Sequence, residues 1–465
     1  MKILISISLL LLGCASDYNK IIEATESAYY GQNYDSAIPK IRELYEGSSN
    51  KDKLLFLMEA GMIFHTKGDY ASSNKAFKEA EGVADNIRVS LTRSGLSFVL
   101  SDNESNYTGE DFERVMIKFY IAYNYLLMGE LNNAKIYFRR LDFELKEMKF
   151  LAAEYRQNNA ARLIDAYVSE SLGRYNDARV QYKNMEQIIG KSQNLTADRF
   201  VLALREGDST DQNKYASGRG NVQAYNRSMQ RIGLNVERLS EVIIIHEAGK
   251  SAIKSSRGRL IEDEYFAVAL RGAVEVALRN KGASASLSGA LAALAIAENP
   301  IPIYKMRDEK GAKPKGYSIN GVDVGYSDIM NDFSDTAIHN FNDNYKMLVT
   351  KNLTSLAVKI VAAVIASEAM ARAVESKGKN GNELVSGLIR VAAGAAAGLA
   401  ISQTIAPDLR CWRTIPSNFQ VKRVFLAPGE YSFKMDAQGS THNAPSRIVV
   451  EEGKPLYIPI RSYRN

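Results

Sequence analysis

Four short segments repeat one pattern along the N-terminal part of the chain, and this repetition constrains the fold more than any other feature. Each segment has a turn residue, a few mostly polar residues and then a small residue. The segments are 32–37 (Gln-Asn-Tyr-Asp-Ser-Ala), 68–73 (Gly-Asp-Tyr-Ala-Ser-Ser), 129–134 (Gly-Glu-Leu-Asn-Asn-Ala) and 173–178 (Gly-Arg-Tyr-Asn-Asp-Ala). Such self-similarity predicts an array of helix pairs, in which each pair buries its apolar face against its neighbours.

The residues around each turn have the sizes that closely packed helix pairs need. Small residues lie seven positions before the turns, at Thr25, Gly61, Ala122 and Ala166. After the turns, a small residue is followed four positions later by a large one, in the pairs Ala37 and Ile41, Ser73 and Phe77, Ala134 and Phe138, and Ala178 and Tyr182. Because positions i and i+4 share one face of a helix, this spacing predicts the core face of each second helix.

This pattern resembles the tetratricopeptide repeat, in which two antiparallel helices form one unit. We therefore interpret residues 14–190 as a tetratricopeptide-like helical repeat domain. The first two turns are separated by close to the usual period of about 34 residues. The later turns are further apart, which predicts insertions, one of them at about 86–108. A helical bundle without true repeats is the alternative.

The first helices of such repeats line a concave surface that suits a helix or an extended peptide from a partner. The repeat register predicts a partner-binding groove with anchoring side chains. The groove residues are Tyr29, Met62, His65, Phe119, Tyr123, Tyr167 and Glu170. The alternative for several of them is packing on the next repeat.

The N-terminus has the pattern of an export signal. Lys2 precedes an apolar run at 3–12, and Gly13 and Cys14 follow. This run is too short to span a bilayer as a mature helix. Residues 11–14 resemble the bacterial lipobox, which implies a signal peptide at 1–13 and a membrane anchor through lipid on Cys14. Because no acidic residue directly follows Cys14, the resemblance favours the periplasmic face of the outer membrane. An ordinary signal peptide with a chance cysteine is the alternative.

The rest of the chain predicts a mixed α+β domain, so the expected fold class is mainly α. Residues 191–238 are polar and rich in loop signals, and we interpret them as a junction. Residues 239–410 are predicted to form a mixed α/β domain with Ala-rich helices, and its first element is a buried strand at 241–246. Residues 411–465 show four short alternating segments separated by turns, which predicts a small C-terminal β-module, either a sandwich or a sheet lid.

Several stretches together resemble a family of bacterial lipoproteins with tetratricopeptide-like N-terminal halves and uncharacterised function. They are the lipobox, the repeats, the segments 241–249 and 406–416, and the Pro-Gly-Glu-Tyr hairpin at 428–431. The likeness has a gap at about 255–300, and Cys411 replaces the usual small polar residue of the family. The resemblance implies a location in the cell envelope and implies no enzymatic activity.

Motifs for chemistry are weak throughout the sequence. The four histidines have no metal-ligand spacing. A phosphate loop ending at Lys250 would need a glycine where Ile244 stands. We therefore predict no catalytic residue, no metal and no cofactor. The formal charge of +6 arises from 59 basic and 53 acidic residues without a basic tract, which argues against nucleic-acid binding.

Two further features have alternative interpretations. The segment 391–405 carries Gly394 and Gly398 at the spacing of paired membrane helices, but it is only about 15 residues long. A buried helix packed against 356–374 is the favoured interpretation. Trp412 lies beside Arg410 and Arg413, and a structural anchor is favoured over a docking site.

These observations predict a membrane-anchored lipoprotein that acts as a non-enzymatic protein-binding scaffold in the bacterial cell envelope. Its partner would be an envelope protein or peptide. The first alternative is an envelope glycan- or peptide-processing enzyme with its site in the middle domain. The second is a membrane-active assembly that uses the Ala-rich and Gly-rich helices.

Overall fold

The computed structural model describes most of the chain. The described residues are 14–47, 51–94, 106–147, 158–219, 240–279, 284–307, 313–375, 383–436 and 441–463. The predicted signal peptide at 1–13 lies outside them, as do 95–105 of the predicted insertion and 220–238 of the predicted junction.

Helices occupy most of the described residues before 220 and pack in consecutive pairs. They are α1 (Cys14–Tyr30), α2 (Tyr34–Gly47), α3 (Lys53–Lys67), α4 (Tyr70–Ser94), α5 (Asp111–Leu127), α6 (Leu131–Glu147), α7 (Asn159–Ser171), α8 (Tyr175–Ile189), α9 (Gln193–Glu206) and α10 (Ser209–Lys214). The pairs α1–α2, α3–α4, α5–α6 and α7–α8 are the four repeats that the sequence predicts.

The backbone conformation at the first position of each turn explains why three of the four repeats have glycine there. Gly68, Gly129 and Gly173 have φ angles of 90°, 77° and 68°, and Gln32 has a φ of 60°. Glycine adopts this left-handed conformation without strain because it has no Cβ. The turn geometry therefore favours glycine at these positions.

The small residues of the repeats lie where the helices come closest. Ala37, Ala134 and Ala178 are fully buried. A Cβ on Gly61 would lie 2.5 Å from the ring of Phe77 on the paired helix. The predicted alternation of small and large residues is therefore the packing rule of the array.

The first part of the predicted junction is helical, so its interpretation as a loop is wrong. Helix α9 begins at the capping residue Ser192 and packs against α8. Its residues Phe200 and Val201 form an apolar cluster with Tyr215 and Phe425. The stretch is polar on average, so its composition does not show that α9 has a short apolar face, which packs against the β-structure.

The described residues after 239 form a mixed α+β region. Its strands are β1 (Ser240–Ala248), β2 (Ile253–Ser255), β3 (Ile303–Lys305), β4 (Gly316–Ile319), β5 (Val322–Tyr326), β6 (Asp328–Asp332), β7 (Asn418–Leu426), β8 (Gly429–Met435), β9 (Thr441–His442), β10 (Arg447–Val450) and β11 (Leu456–Ser462). Its helices are α11 (Glu264–Leu278), α12 (Ser284–Leu294), α13 (Phe333–Asp343), α14 (Tyr345–Glu375) and α15 (Glu383–Ser402).

The strands form two main sheets, and the C-terminal strands belong to both of them. The five-stranded sheet has the order β6-β7-β1-β11-β9, and the four-stranded sheet has the order β10-β8-β4-β5. β1 pairs antiparallel with β7 and parallel with β11. The predicted separate module at 411–465 is therefore wrong, because its strands complete sheets that begin with β1 and β4.

The five-stranded sheet is buried on both sides. All nine residues of β1 are buried, and so are all nine of β7. Val242 and Ile244 join the apolar cluster of the four-stranded sheet. Ile243 and Ile245 join the cluster of the helical repeats. The repeats, the five-stranded sheet and the four-stranded sheet are thus three successive layers.

The helices α11, α12, α14 and α15 form a separate bundle, the Ala-rich bundle, with its own apolar cluster. Helix α15 packs on α14, as predicted, and also on α12. However, the buried residues of the predicted segment 391–405 are Gly394, Gly398 and Ser402, while Val391 and Leu399 are 40% and 43% exposed. The prediction of a buried helix is therefore wrong, because the bundle covers only the small-residue side of α15.

Candidate functional site

The predicted groove residues lie together on one face of the repeats, but the chain's own sheet covers them. We call this face, formed by the first helices α1, α3, α5 and α7, the inner face. Its predicted residues Tyr29, Met62, His65, Phe119, Tyr123, Tyr167 and Glu170 are all at most 4% exposed. These residues are therefore buried under the chain's own sheet, and the expectation that they are open to a partner does not match this arrangement.

Aromatic side chains form the centre of this contact. Phe419 of β7 lies with its ring centroid 4.9 Å from that of Phe119 and 5.7 Å from that of Tyr123. Both contacts are edge-to-face, the arrangement that ring quadrupoles favour. Met62 belongs to the same apolar cluster, as do Ile243 and Ile245 of β1. The inner face therefore has the composition of a protein core.

A buried polar cluster joins α3 and α5 to the end of β1. The Nε2 of His65 lies 2.8 Å from Oε1 of Glu247, and its Nδ1 lies 2.5 Å from Oδ1 of Asn124. The hydroxyl of Tyr120 donates to Oε2 of Glu247 at 3.0 Å. The amide of Asn124 donates to Oγ of Ser73. The His65 ring is thus held between Asn124 of α5 and Glu247 of β1, and it joins the repeats to the sheet.

A second cluster joins α7 and α9 to β1 and β7. The Arg423 guanidinium, with a side chain 1% exposed, lies 3.0 Å from the Glu170 carboxylate, 2.8 Å from that of Glu241 and 3.4 Å from that of Asp198. It also lies over the ring of Tyr167, 4.6 Å from the centroid. Arg205 pairs with the Glu170 and Glu241 carboxylates. Buried charges of this kind are tolerable only when each has a partner.

The charges of this second cluster balance if one carboxyl is neutral. Three carboxyls face two guanidinium groups. Burial raises the pKa of Asp198 to about 7, and the nearby Arg423 lowers it only in part. The pKa of Glu241 is lowered by Arg423 and Arg205 despite its burial. Asp198 is therefore the group that takes a proton near neutral pH.

Two buried carboxyls of the repeats hold the backbone of residues 411–414. Glu59 on α3 accepts from the backbone N–H groups of Arg413 at 2.6 Å and Thr414 at 3.2 Å, and from the Thr414 hydroxyl at 2.5 Å. Glu113 on α5 accepts from the N–H of Trp412 at 2.8 Å. Burial raises the pKa of Glu59 to about 7. Residues 411–414 do not pair with a strand, so these carboxyls accept the hydrogen bonds of their backbone N–H groups instead.

Trp412 is a structural anchor, in agreement with its favoured interpretation. Its side chain is 1% exposed, and its ring centroid lies 5.8 Å from that of Phe77 and 6.0 Å from that of Tyr120. Cys411 is also buried, and burial raises the pKa of its thiol to about 11. A thiol that stays protonated is a poor nucleophile, so Cys411 acts as a small apolar residue.

Glu59 and Asp198, two buried carboxyls with raised pKa values, have other groups of the chain around their oxygens. The oxygens of Glu59 accept from the backbone of 413–414, and Asp198 is enclosed by Arg423 and Tyr167. Within the described ranges, no group of three or more His, Cys, Asp or Glu side chains could hold a metal ion. Glu59 and Asp198 thus serve the contact between repeats and sheet.

Sequence reasoning missed the charged residues of β1 and β7. Glu241 and Glu247 flank the apolar run of β1, and Arg423 interrupts the apolar pattern of β7. A charge in a strand that is buried on both faces needs a partner of opposite charge on a neighbouring element. Glu170 and His65 on the predicted groove contact Arg423 and Glu247, so polar side chains on an otherwise apolar face were the available signal.

The fold and this site define a helical-repeat protein that holds a two-layered β-structure against its inner face. No family model and no curated protein matches the chain. A solved structure that is similar is PilW, described as a widely conserved type IV pilus biogenesis factor. It has 13% sequence identity and a TM-score of 0.26, and the match covers 46% of this chain and 96% of PilW.

Proposed function

We propose that the protein is a lipid-anchored, non-enzymatic scaffold of the bacterial cell envelope. The observation that carries this proposal is that the inner face of the repeats is covered by the chain's own sheet. Its predicted anchoring residues bind the chain's own sheet, and its buried acids and bases pair with each other. A site built this way stabilises one arrangement of the chain and leaves no open cleft there for a substrate.

The anchor is the predicted lipid on Cys14. The apolar run at 3–12 and the small residue before the cysteine support it. Several acyl chains on one residue hold a protein on a membrane almost permanently, since each buried methylene contributes about 0.8 kcal/mol. In this proposal the repeats begin directly after the anchor, at the periplasmic face of the outer membrane.

A protein partner would bind the outer surface of the second helices. Phe143 on α6 and Val180 on α8 are 66% and 57% exposed, and Ile136 on α6 is 50% exposed. Large apolar side chains on a repeat surface suit partner binding because they lose contact with water when the partner docks. The partner class in this proposal is an envelope protein or peptide.

Metabolic labelling with an alkyne analogue of palmitate tests the anchor. We expect label on the unaltered chain and none on Cys14→Ala, since Cys14 supplies the acceptor. Cys411→Ala is the matched control, because it removes the second cysteine and should keep full label. Label on Cys14→Ala, or no label on the unaltered chain, would show that the lipobox interpretation is wrong.

Photo-crosslinking in intact cells tests the scaffold role. We expect a photoreactive benzoylphenylalanine in place of Phe143 to give discrete adducts with another envelope protein. The control position is Glu430 on β8, whose side chain is 62% exposed but lies far from the repeat helices in sequence. Equal adduct patterns at both positions, or none at Phe143, would contradict binding by the outer helices.

A further inference from the structure

Helices α14 and α15 carry an apolar surface that the other described residues leave uncovered. On α14, Val358 is 60% exposed and Met370 is 59% exposed. On α15, Leu384, Leu388 and Leu399 are 71%, 63% and 43% exposed. We call these five side chains the hairpin face. Several large apolar side chains exposed on two helices that pack together indicate a surface that another apolar medium covers.

The dimensions of the two helices match a lipid bilayer. Tyr345–Val374 and Glu383–Ser402 have 30 and 20 residues and are apolar enough to cross a membrane. A helix of 20 residues is about 30 Å long, the thickness of the hydrocarbon layer. The core helix of a soluble protein can have the same composition, but it is mostly buried. Here only 33% and 11% of the apolar stretches are buried.

The bundle is held together by the close packing of small residues. A Cβ on Gly394 would lie 1.9 Å from the carbonyl oxygen of Ser286, and a Cβ on Gly398 would lie 2.4 Å from that of Ala290. On α12, a Cβ on Gly289 would lie 2.1 Å from the carbonyl oxygen of Val391. Such close contact between helix backbones stabilises the bundle by van der Waals packing and does not need the hydrophobic effect. Membrane helices pack in this way.

Several polar groups of these helices are turned inward or bonded within their own helix. The Glu368 carboxylate accepts from the Ser286 hydroxyl at 2.6 Å and lies 3.4 Å from the Arg390 guanidinium. The exposed hydroxyls of Thr350 and Thr354 donate to backbone carbonyls one turn earlier, at 2.9 Å and 2.8 Å. Charges paired inside a bundle and hydroxyls bonded to their own backbone both suit a surrounding that offers no hydrogen bonds.

We propose that a lipid bilayer covers the hairpin face, so that α14 and α15 insert among acyl chains. A second copy of the protein could also cover apolar side chains, but it would not require the inward pairing of Glu368 and Arg390. Arg372 lies in the last turn of α14, where its flexible stem can reach the headgroup region. This second membrane contact is independent of the lipid on Cys14.

Vesicle flotation tests the insertion. The mature chain, with its leader removed and with Cys14→Ser, is mixed with neutral phosphatidylcholine vesicles and centrifuged through a density gradient. Neutral lipid removes any contribution from the positive charge of the protein. The test variant adds Leu384→Glu and Leu388→Glu. Its matched control adds Phe143→Glu and Val180→Glu, which are equally exposed apolar positions on the repeats.

We expect the unaltered mature chain and the matched control to float with the vesicles. The test variant should float at least about tenfold less, since glutamate is strongly disfavoured in the hydrocarbon layer. Circular dichroism checks that all three chains keep their helices. Failure of the unaltered chain to float, or equal flotation of the test variant, overturns the proposal. If the unaltered chain instead sediments as an oligomer that the test variant disperses, a second copy covers the face.

A fluorophore gives an independent readout. An environment-sensitive dye attached at Leu388→Cys should shift to shorter wavelength when vesicles are added, because it moves from water to lipid. The same dye at Phe143→Cys should not shift. Since the chain used has no lipid on residue 14, these results do not depend on the anchor. An absent shift at position 388 overturns insertion and leaves the proposed lipidation untouched.

Discussion

The substitution Arg423→Met removes the guanidinium that β7 contributes to the contact between repeats and sheet. Arg423 lies within 3.4 Å of the carboxylates of Glu170, Glu241 and Asp198. Methionine retains an unbranched apolar side chain that can fill much of the same space. The change therefore removes charge from the cluster with a limited loss of packed volume.

The expected cost follows from the burial of the carboxyls that remain. Removing one partner of a buried ion pair costs about 3–5 kcal/mol, because the other charge stays buried without compensation. Arg205 still pairs with Glu170 and Glu241, so we expect about 3 kcal/mol. The matched control is Arg447→Met, whose pair with Glu430 has side chains 75% and 62% exposed. An exposed pair contributes only about 0–1 kcal/mol.

Trp412 gives a direct assay, because it is the single tryptophan of the chain. Its ring is buried against Phe77 and Tyr120 of the repeats. Its fluorescence during urea unfolding reports the loss of this contact. We expect Arg423→Met to lower the midpoint by up to about 1 M, because the slope is about 1–3 kcal/mol per M for small proteins and increases with chain length. Arg447→Met should leave it nearly unchanged. Equal shifts in the two variants would refute the reasoning.

Three further expectations use the same unfolding assay. Phe419→Ala should lower the free energy of unfolding by about 3–5 kcal/mol, while Phe143→Ala, at a position 66% exposed, should have little effect. Ala178→Leu should cost about 1–3 kcal/mol, since Ala178 is fully buried, and unchanged stability would contradict the repeat packing. Burial raises the pKa of Asp198 from 3.8 to about 7. Its protonated form therefore favours the folded state, and stability falls as the pH rises through about 7. Asp198→Asn should reduce this fall between pH 6 and 8, and an unaltered pH profile would contradict the raised pKa.

The repeats could be predicted from the sequence because their signals are local. A turn glycine, a small residue and a large residue four positions later all act within one helix pair. Gly61 and Phe77 illustrate this, since the missing Cβ of one leaves space for the ring of the other. The same register identified Phe119 and Tyr123 as neighbours on one face.

The sequence could not predict that the sheet covers this face, because the sheet forms through contacts between distant parts of the chain. The apolar run of β1 indicates a buried strand but does not name its neighbours. Its parallel partner β11 lies at the C-terminal end of the described residues, with Ile244 opposite Ile458. Tyr123 would suit a partner peptide and a strand of the same chain equally well, since both offer apolar contacts.

The Ala-rich bundle shows a second limit of prediction from sequence. Gly394 and Gly398 indicate close helix packing, and the structure has that packing. Composition alone does not say which sides of the helix remain uncovered. Leu384 and Leu388 would look the same in a buried helix, and only their exposure in the structure separates the two cases.

The binding of the chain's own sheet to the inner face of the repeats is the feature on which the proposed scaffold depends. A double-mutant cycle with Glu170→Gln on α7 and Arg423→Met on β7 tests it most directly, because these two residues meet only through that contact, at 3.0 Å. Residues that share a charged contact couple by about 0.5–3 kcal/mol, and the burial of this pair predicts the upper part of that range. Additive effects of the two substitutions, with a coupling energy near zero, would mean that the sheet does not lie on the inner face.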